Sequence, residues 1–195
     1  YSQGFHAHPK VTFSTACPVG EASRGDYMDV MLKEYVDEAD LFARLQEKLP
    51  PGLHVFDFEA MPLRGESLMS LVNGFSYSFI TTDAPDDLGD RVSELVSREE
   101  ILVSRKVKQK KPKKGRGWKR REKVFAEVDI RPMIESLSLK KQEGPNATLI
   151  FTTCDDNGRL AKPKEIMSLL GISAEKTRVT KDNTLLKGER ARVVV

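Results

Sequence analysis

FSYSFITTDAPDDLGDRVSELV, residues 75–96, is the stretch on which the fold turns. Phe75 to Thr82 alternates apolar and polar side chains, which predicts a half-buried strand. After Asp83-Ala84-Pro85, residues Leu88, Val92, Leu95 and Val96 recur at helical spacing, so a helix follows the strand. Downstream, Ile101–Val107 and Lys123–Ile130 read as two strands, Ala147–Thr153 as another, and Asp156-Asn157-Gly158 as a turn. Pro163–Leu170 reads as a helix closed by Gly171, and Thr177–Leu186 as a final strand. Upstream, Lys10–Phe13 is a short strand, and Asp26–Leu32 alternates with Met28, Val30 and Leu32 on one face, as in a sheet covered on one side. Asp37 caps a helix through Leu41, Phe42, Leu45 and Leu49 that Pro50-Pro51-Gly52 stops. Leu53–Glu59 reads as a strand, and Met61–Asn73 as a connector with a short helical turn.

Strand-helix-strand-strand-helix-strand is the ferredoxin-like order. The predicted class is α+β, two tandem ferredoxin-like units, the first lacking its initial strand and helix. The boundaries read as 1–62 for the incomplete amino-terminal unit, 63–74 for the connector, and 75–195 for the second unit with a basic hairpin at 105–123. The chain starts at Tyr1 rather than Met, which reads as a fragment or a chain whose true start is missing.

Charge is strongly segregated. RKVKQKKPKKGRGWKRREK, residues 105–123, holds twelve Lys/Arg and one acid, Glu122, a net +11; with the whole chain at +3, the other residues carry −8. Clustered like charge repels itself and is most stable against an external polyanion, which inside a cell is most often nucleic acid. Lys108, Lys110, Lys111, Lys113, Lys114, Arg116, Lys119, Arg120 and Arg121 are the candidate phosphate contacts, and Trp118 offers a face to an unpaired base. Pro112, Gly115 and Gly117 disfavour the amphipathic helix that a membrane patch would need, so RNA is the expected partner, with no membrane and no evident DNA specificity. The bland alternative is a solvated loop.

Two cysteines far apart, Cys17 and Cys154, exclude a disulfide framework and a cysteine-rich zinc site, and place the chain most simply in the cytoplasm. There is neither a bilayer-length apolar run nor a signal peptide. No cofactor and no metal are expected: Gly115-Arg116-Gly117 lacks the Lys-Ser/Thr ending of a phosphate loop, and His6 and His8 have only His54 as a further histidine. At the amino terminus, His6 and His8 are two apart and followed by Lys10, so an extended backbone puts both imidazoles on one side. The three are candidates for acid-base work on RNA, or the imidazoles simply hydrogen-bond locally and fix a turn.

The same residues carry a resemblance. YSQGFHAHPKVTF, residues 1–13, continuing to Cys17-Pro18-Val19-Gly20 and Asp26-Tyr27-Met28-Asp29-Val30, resembles the radical SAM-linked protein family, a bacterial domain of unknown function. Pro62–Val72 resembles its connector, Val128-Asp129-Ile130-Arg131-Pro132 its VD(I/L)RP element, and Lys162-Pro163-Lys164-Glu165-Ile166 its later helix start. The chain departs from the pattern at Ala7, Cys17, Val19 and Lys162, and has Val179-Thr180-Lys181 where a basic residue followed by threonine is expected. The resemblance implies a companion of a radical SAM enzyme, with no reaction assigned to the domain itself. The chain is not that enzyme, since an iron–sulfur cluster needs three closely spaced cysteines.

The leading expectation is therefore an RNA-binding accessory protein acting with a radical SAM enzyme, in rRNA or tRNA modification. One rival is a metal-independent ribonuclease or RNA-modifying enzyme using His6 and His8, which rests on fold analogy. Another is a protein–protein interaction subunit that needs no RNA.

Overall fold

The computed structural model describes residues 10–61, 65–107 and 124–187. In chain order the elements are β1 (Val11–Phe13), β2 (Ala22–Ser23), β3 (Met28–Val30), α1 (Glu38–Lys48), α2 (Leu68–Leu71), β4 (Val72–Thr81), α3 (Leu88–Ser97), β5 (Leu102–Val107), β6 (Val124–Asp129), β7 (Ile134–Glu143), β8 (Asn146–Cys154), α4 (Pro163–Leu170) and β9 (Thr177–Leu186). Single 3-10 turns cover Arg131–Met133 and Ala174–Lys176. The described residues divide into two compact units, one running to Phe75 and resuming at Thr180, the other from Ser76 to Val179.

In the first unit, β1 and β3 pair antiparallel with Val11 opposite Val30 and Phe13 opposite Met28. β2 lies parallel to β9, Ala22 opposite Thr180 and Ser23 opposite Lys181. Asp37 caps α1 as expected, its carboxylate accepting from the amides of Ala39 and Asp40 at 3.1 Å each. Two expectations fail here. Met28, Val30 and Leu32 are not covered but remain exposed, and Leu53–Glu59 forms no strand. Among the described residues that segment joins no ladder, since an alternating pattern supplies a face to bury but cannot supply a hydrogen-bonding partner.

From Ser76 to Val179 the second unit holds most of β4, then α3, a β5–β6 hairpin, β7, β8, α4 and the first residues of β9, which continues past Thr180; the five-stranded sheet has the order β2-β9-β4-β8-β7. Omitting the hairpin leaves strand-helix-strand-strand-helix-strand. Among the described residues the hairpin strands form a two-stranded sheet of their own. β7, antiparallel to β8, was unforeseen in the sequence. Lys140, Lys141, Gln142 and Glu143 end it in polar residues, which suits an edge strand and hides the alternation. Leu137, Leu149, Phe151, Tyr77 and Phe79 supply the buried face, and Leu88, Val92 and Leu95 of α3 with Ile166, Met167 and Leu170 of α4 supply the helical half. Tyr77 stacks on Phe151 at 5.9 Å and Phe79 meets the same ring at 6.0 Å. Burying each such aromatic contributes about 1.5–3 kcal/mol. The Asp156-Asn157-Gly158 signal gives a tight turn, with φ of 53° at Asn157 and 77° at Gly158.

The described first unit holds the two-stranded β1–β3 pair, the short β2, the start of β4 and the part of β9 from Thr180 that β2 runs parallel to. The fold is accordingly α+β, with a mixed sheet and few helices. Among the described residues, no helix is long and apolar enough to cross a membrane.

Candidate nucleic-acid interface

The hairpin that carries the basic run is built in full register, from Leu102 opposite Asp129 to Val107 opposite Val124. Successive side chains on a strand alternate faces, so the ladder separates the strand residues of the charge cluster into two roles. Arg105 turns inward. Its guanidinium donates to both oxygens of Glu165 at 2.8 and 2.7 Å and to the carbonyl of Leu160 at 2.8 Å, with both side chains about 15% exposed. Glu165 Oε2 also accepts from the amide of Lys162 at 2.9 Å, which caps the start of α4. Arg105 is thus committed to anchoring the hairpin on α4, and a bidentate, largely dry pair of this kind leaves little to offer a phosphate. On the opposite face Leu102, Ser104, Lys106, Phe125 and Glu127 are exposed.

The base of the hairpin is fixed by Asp129 and Arg131. One Asp129 oxygen accepts from the amides of Ile101 and Arg131, both at 2.9 Å. The Arg131 guanidinium donates to the carbonyls of Arg98 at 3.0 Å, Ile134 at 3.2 Å and Val96 at 3.3 Å. Val96 and Arg98 lie at the end of α3, where carbonyls lack helical partners and the dipole favours a cation. The Val-Asp-Ile-Arg-Pro element is therefore a clamp that ties strand to helix.

Of the residues read from the sequence as site candidates, Lys10 is described. It is exposed, and its carbonyl accepts from the amide of Met31 at 3.0 Å, extending the β1–β3 ladder. His6 and His8 lie outside the described residues, as do Lys108, Lys110, Lys111, Lys113, Lys114, Arg116, Trp118, Lys119, Arg120 and Arg121. The expected hairpin strands at Ile101–Val107 and Lys123–Ile130 are present as β5 and β6.

Sequence reading missed a buried charge in the first unit. Lys181 has a side chain 4% exposed, and its ammonium pairs with Asp26, itself 33% exposed. The ammonium also lies 5.1 Å from the ring centre of Phe75, at cation–π range. Gly25, next to Asp26, approaches β9 so closely that a Cβ would come within 2.5 Å of the Asp182 carbonyl oxygen. The Thr184 hydroxyl donates to the Gly25 carbonyl at 2.6 Å. A lysine in a strand carries no signal of burial, and Asp26 was legible only as the start of the alternating stretch Asp26–Leu32.

Cys154 is ill suited to nucleophilic chemistry. Burial pushes its thiol up, the carboxylates of Glu135, Asp156 and Asp155 push the same way, and its Sγ lies 3.2 Å from the Pro132 carbonyl oxygen. Among the described residues, no three His, Cys, Asp or Glu side chains gather as a metal site would require.

Compared with known proteins, the chain matches no curated protein and no solved structure. A family model does match, over residues 1–163, and by that match the chain belongs to the bacterial family described as uncharacterized protein conserved in bacteria (DUF2344).

Proposed function

We propose that this protein binds RNA through the segment 108–123 and acts as an accessory to a radical SAM enzyme in the modification of rRNA or tRNA. The observation that carries the reading is the pairing of charge with framework. Residues 108–123 bring ten Lys/Arg against one Glu, and the chain enters and leaves that segment at the directly opposed Val107 and Val124. A two-stranded stem clamped by Arg105–Glu165 and by Arg131 gives a polycation a fixed root. Phosphate contact then needs no ordering of the rest of the chain. Association with a radical SAM enzyme rests on the resemblance of residues 1–13, 128–132 and 162–166. In the same proposal the architecture is two tandem ferredoxin-like units, the first lacking its initial strand and helix, and the succession β9-β4-β8-β7 within the five-stranded sheet supports it. A cytoplasmic setting accords with two cysteines, neither in a disulfide.

Salt titration of RNA binding tests the reading directly. If six of the basic residues contact single-stranded phosphates, log affinity falls against log salt with a slope of about −4. A slope near zero removes the electrostatic basis of the proposal. Retention of a radical SAM partner by the RNA-free protein after nuclease treatment, with no binding of bare RNA, transfers the assignment to a protein–protein subunit.

A further inference from the structure

An aromatic ring stands beside a lysine at the root of the basic segment, and the charge run alone does not reveal it. Because Arg105 turns inward to Glu165, strand alternation sends Lys106 to the opposite face. There Lys106 stands directly across the ladder from Phe125. The lysine is exposed and the phenylalanine is 57% exposed. Neighbouring cross-strand side chains lie about 5 Å apart at Cβ, close enough for one nucleotide to touch both.

We propose that Phe125 and Lys106 form a platform for single-stranded RNA, the phenyl ring stacking on an unpaired base and the ammonium meeting its phosphate. The inference rests on the reading that residues 108–123 bind RNA, and it adds the kind of RNA. Charge complementarity selects a polyanion, since the face leads at Val107 and Val124 into a segment of net +9. The ring selects an unstacked base, since the π-face of a duplex base is already covered by its neighbours. Ser104 and Glu127 form the next exposed pair away from the segment. The acid there repels phosphate, so the strand runs from the platform toward the basic segment rather than down the hairpin.

The test is fluorescence anisotropy of the full chain with a single-stranded uridine oligomer and with an RNA duplex of equal length. Phe125→Ala is expected to weaken single-strand binding about five- to a hundredfold while leaving duplex binding within about twofold, and Phe125→Trp to restore it. Lys106→Ala is expected to make the single-strand salt slope shallower by about 0.7. Phe125→Leu keeps apolar bulk without a π-face and is expected to behave like the alanine variant, which separates stacking from any loss of folding. Equal loss on both RNAs, or no loss, overturns the platform while the RNA reading stands. Failure of the unsubstituted chain to bind either RNA at low salt overturns both.

Discussion

Lys181 keeps its charge in a place where only 4% of its side chain meets solvent, and Asp26 is what makes that tolerable. Removing one member of such a pair costs more than removing the charge itself, because the remaining ion is left without compensation. Asp26→Ala is therefore expected to lower stability by about 2–4 kcal/mol, and Lys181→Met by distinctly less, read from urea midpoints at constant m. The double variant should resemble Lys181→Met; if it shows the sum of the two losses, the pair does not act as a unit. The two cysteines give a second expectation at this scale. Cys17 is exposed, whereas burial raises the Cys154 thiol above its ordinary range. A raised pKa means less thiolate at pH 8, so iodoacetamide should label Cys17 about tenfold faster or more. Raising the pH toward the elevated value should narrow that gap. Equal rates at pH 8, read by mass spectrometry, would sink the assignment of Cys154 as inert.

Arg131 shows how one side chain holds two elements in place, since its guanidinium spans the end of α3 and the turn into β7. Arg131→Ala is expected to cost about 1–3 kcal/mol, by the loss of charge-assisted bonds to carbonyls that helix geometry leaves unpaired. Arg131→Lys keeps the cation but not the fork, and should recover less than half of the loss. Full recovery would mean that charge at the α3 terminus, not the three directed bonds, is what matters. The elements themselves were legible to very different degrees. α1, α3, α4 and the two hairpin strands could be read because each carries a local signal: an Asp37 cap, a helical apolar period, a closing Gly171 with φ of 72°. β7 could not, because its outer half is Lys-Lys-Gln-Glu and its strand character comes from the partner β8. Leu53–Glu59 shows the converse, an apolar pattern with no partner strand among the described residues. Likewise nothing local in Thr180–Lys187 marks it as packing with Gly25 and Asp26, since such contacts are set by tertiary structure across more than 150 residues of chain. In the candidate interface, charge was legible from composition. The division of labour between Arg105 and Lys106, and the place of Phe125, required the register.

At the scale of the molecule, the sequence divides into a −6 body and the +9 segment of residues 108–123, which follows Val107 and precedes Val124 in the chain. If the hairpin is held by its own ladder, by Arg105–Glu165 and by the Asp129–Arg131 clamp, the body has no need of the segment in order to fold. Replacing residues 108–123 by Asn-Gly closes β5 onto β6 through a two-residue turn whose twist suits the strands. Shortening a connector costs little loop entropy and can even reduce it, so the melting temperature should stay within about 3 °C of the parent. The net charge falls from +3 to −6, and the variant should move from weak to firm retention on an anion exchanger. Its affinity for single-stranded RNA should fall by at least about a hundredfold, and the salt slope should collapse toward that of the Lys106 contact alone, about −0.7. A variant that melts far below the parent would show that the segment is part of the fold. One that stays folded and keeps a steep salt slope would place the RNA grip on the acidic body, where the distribution of charge gives it no electrostatic reason to be.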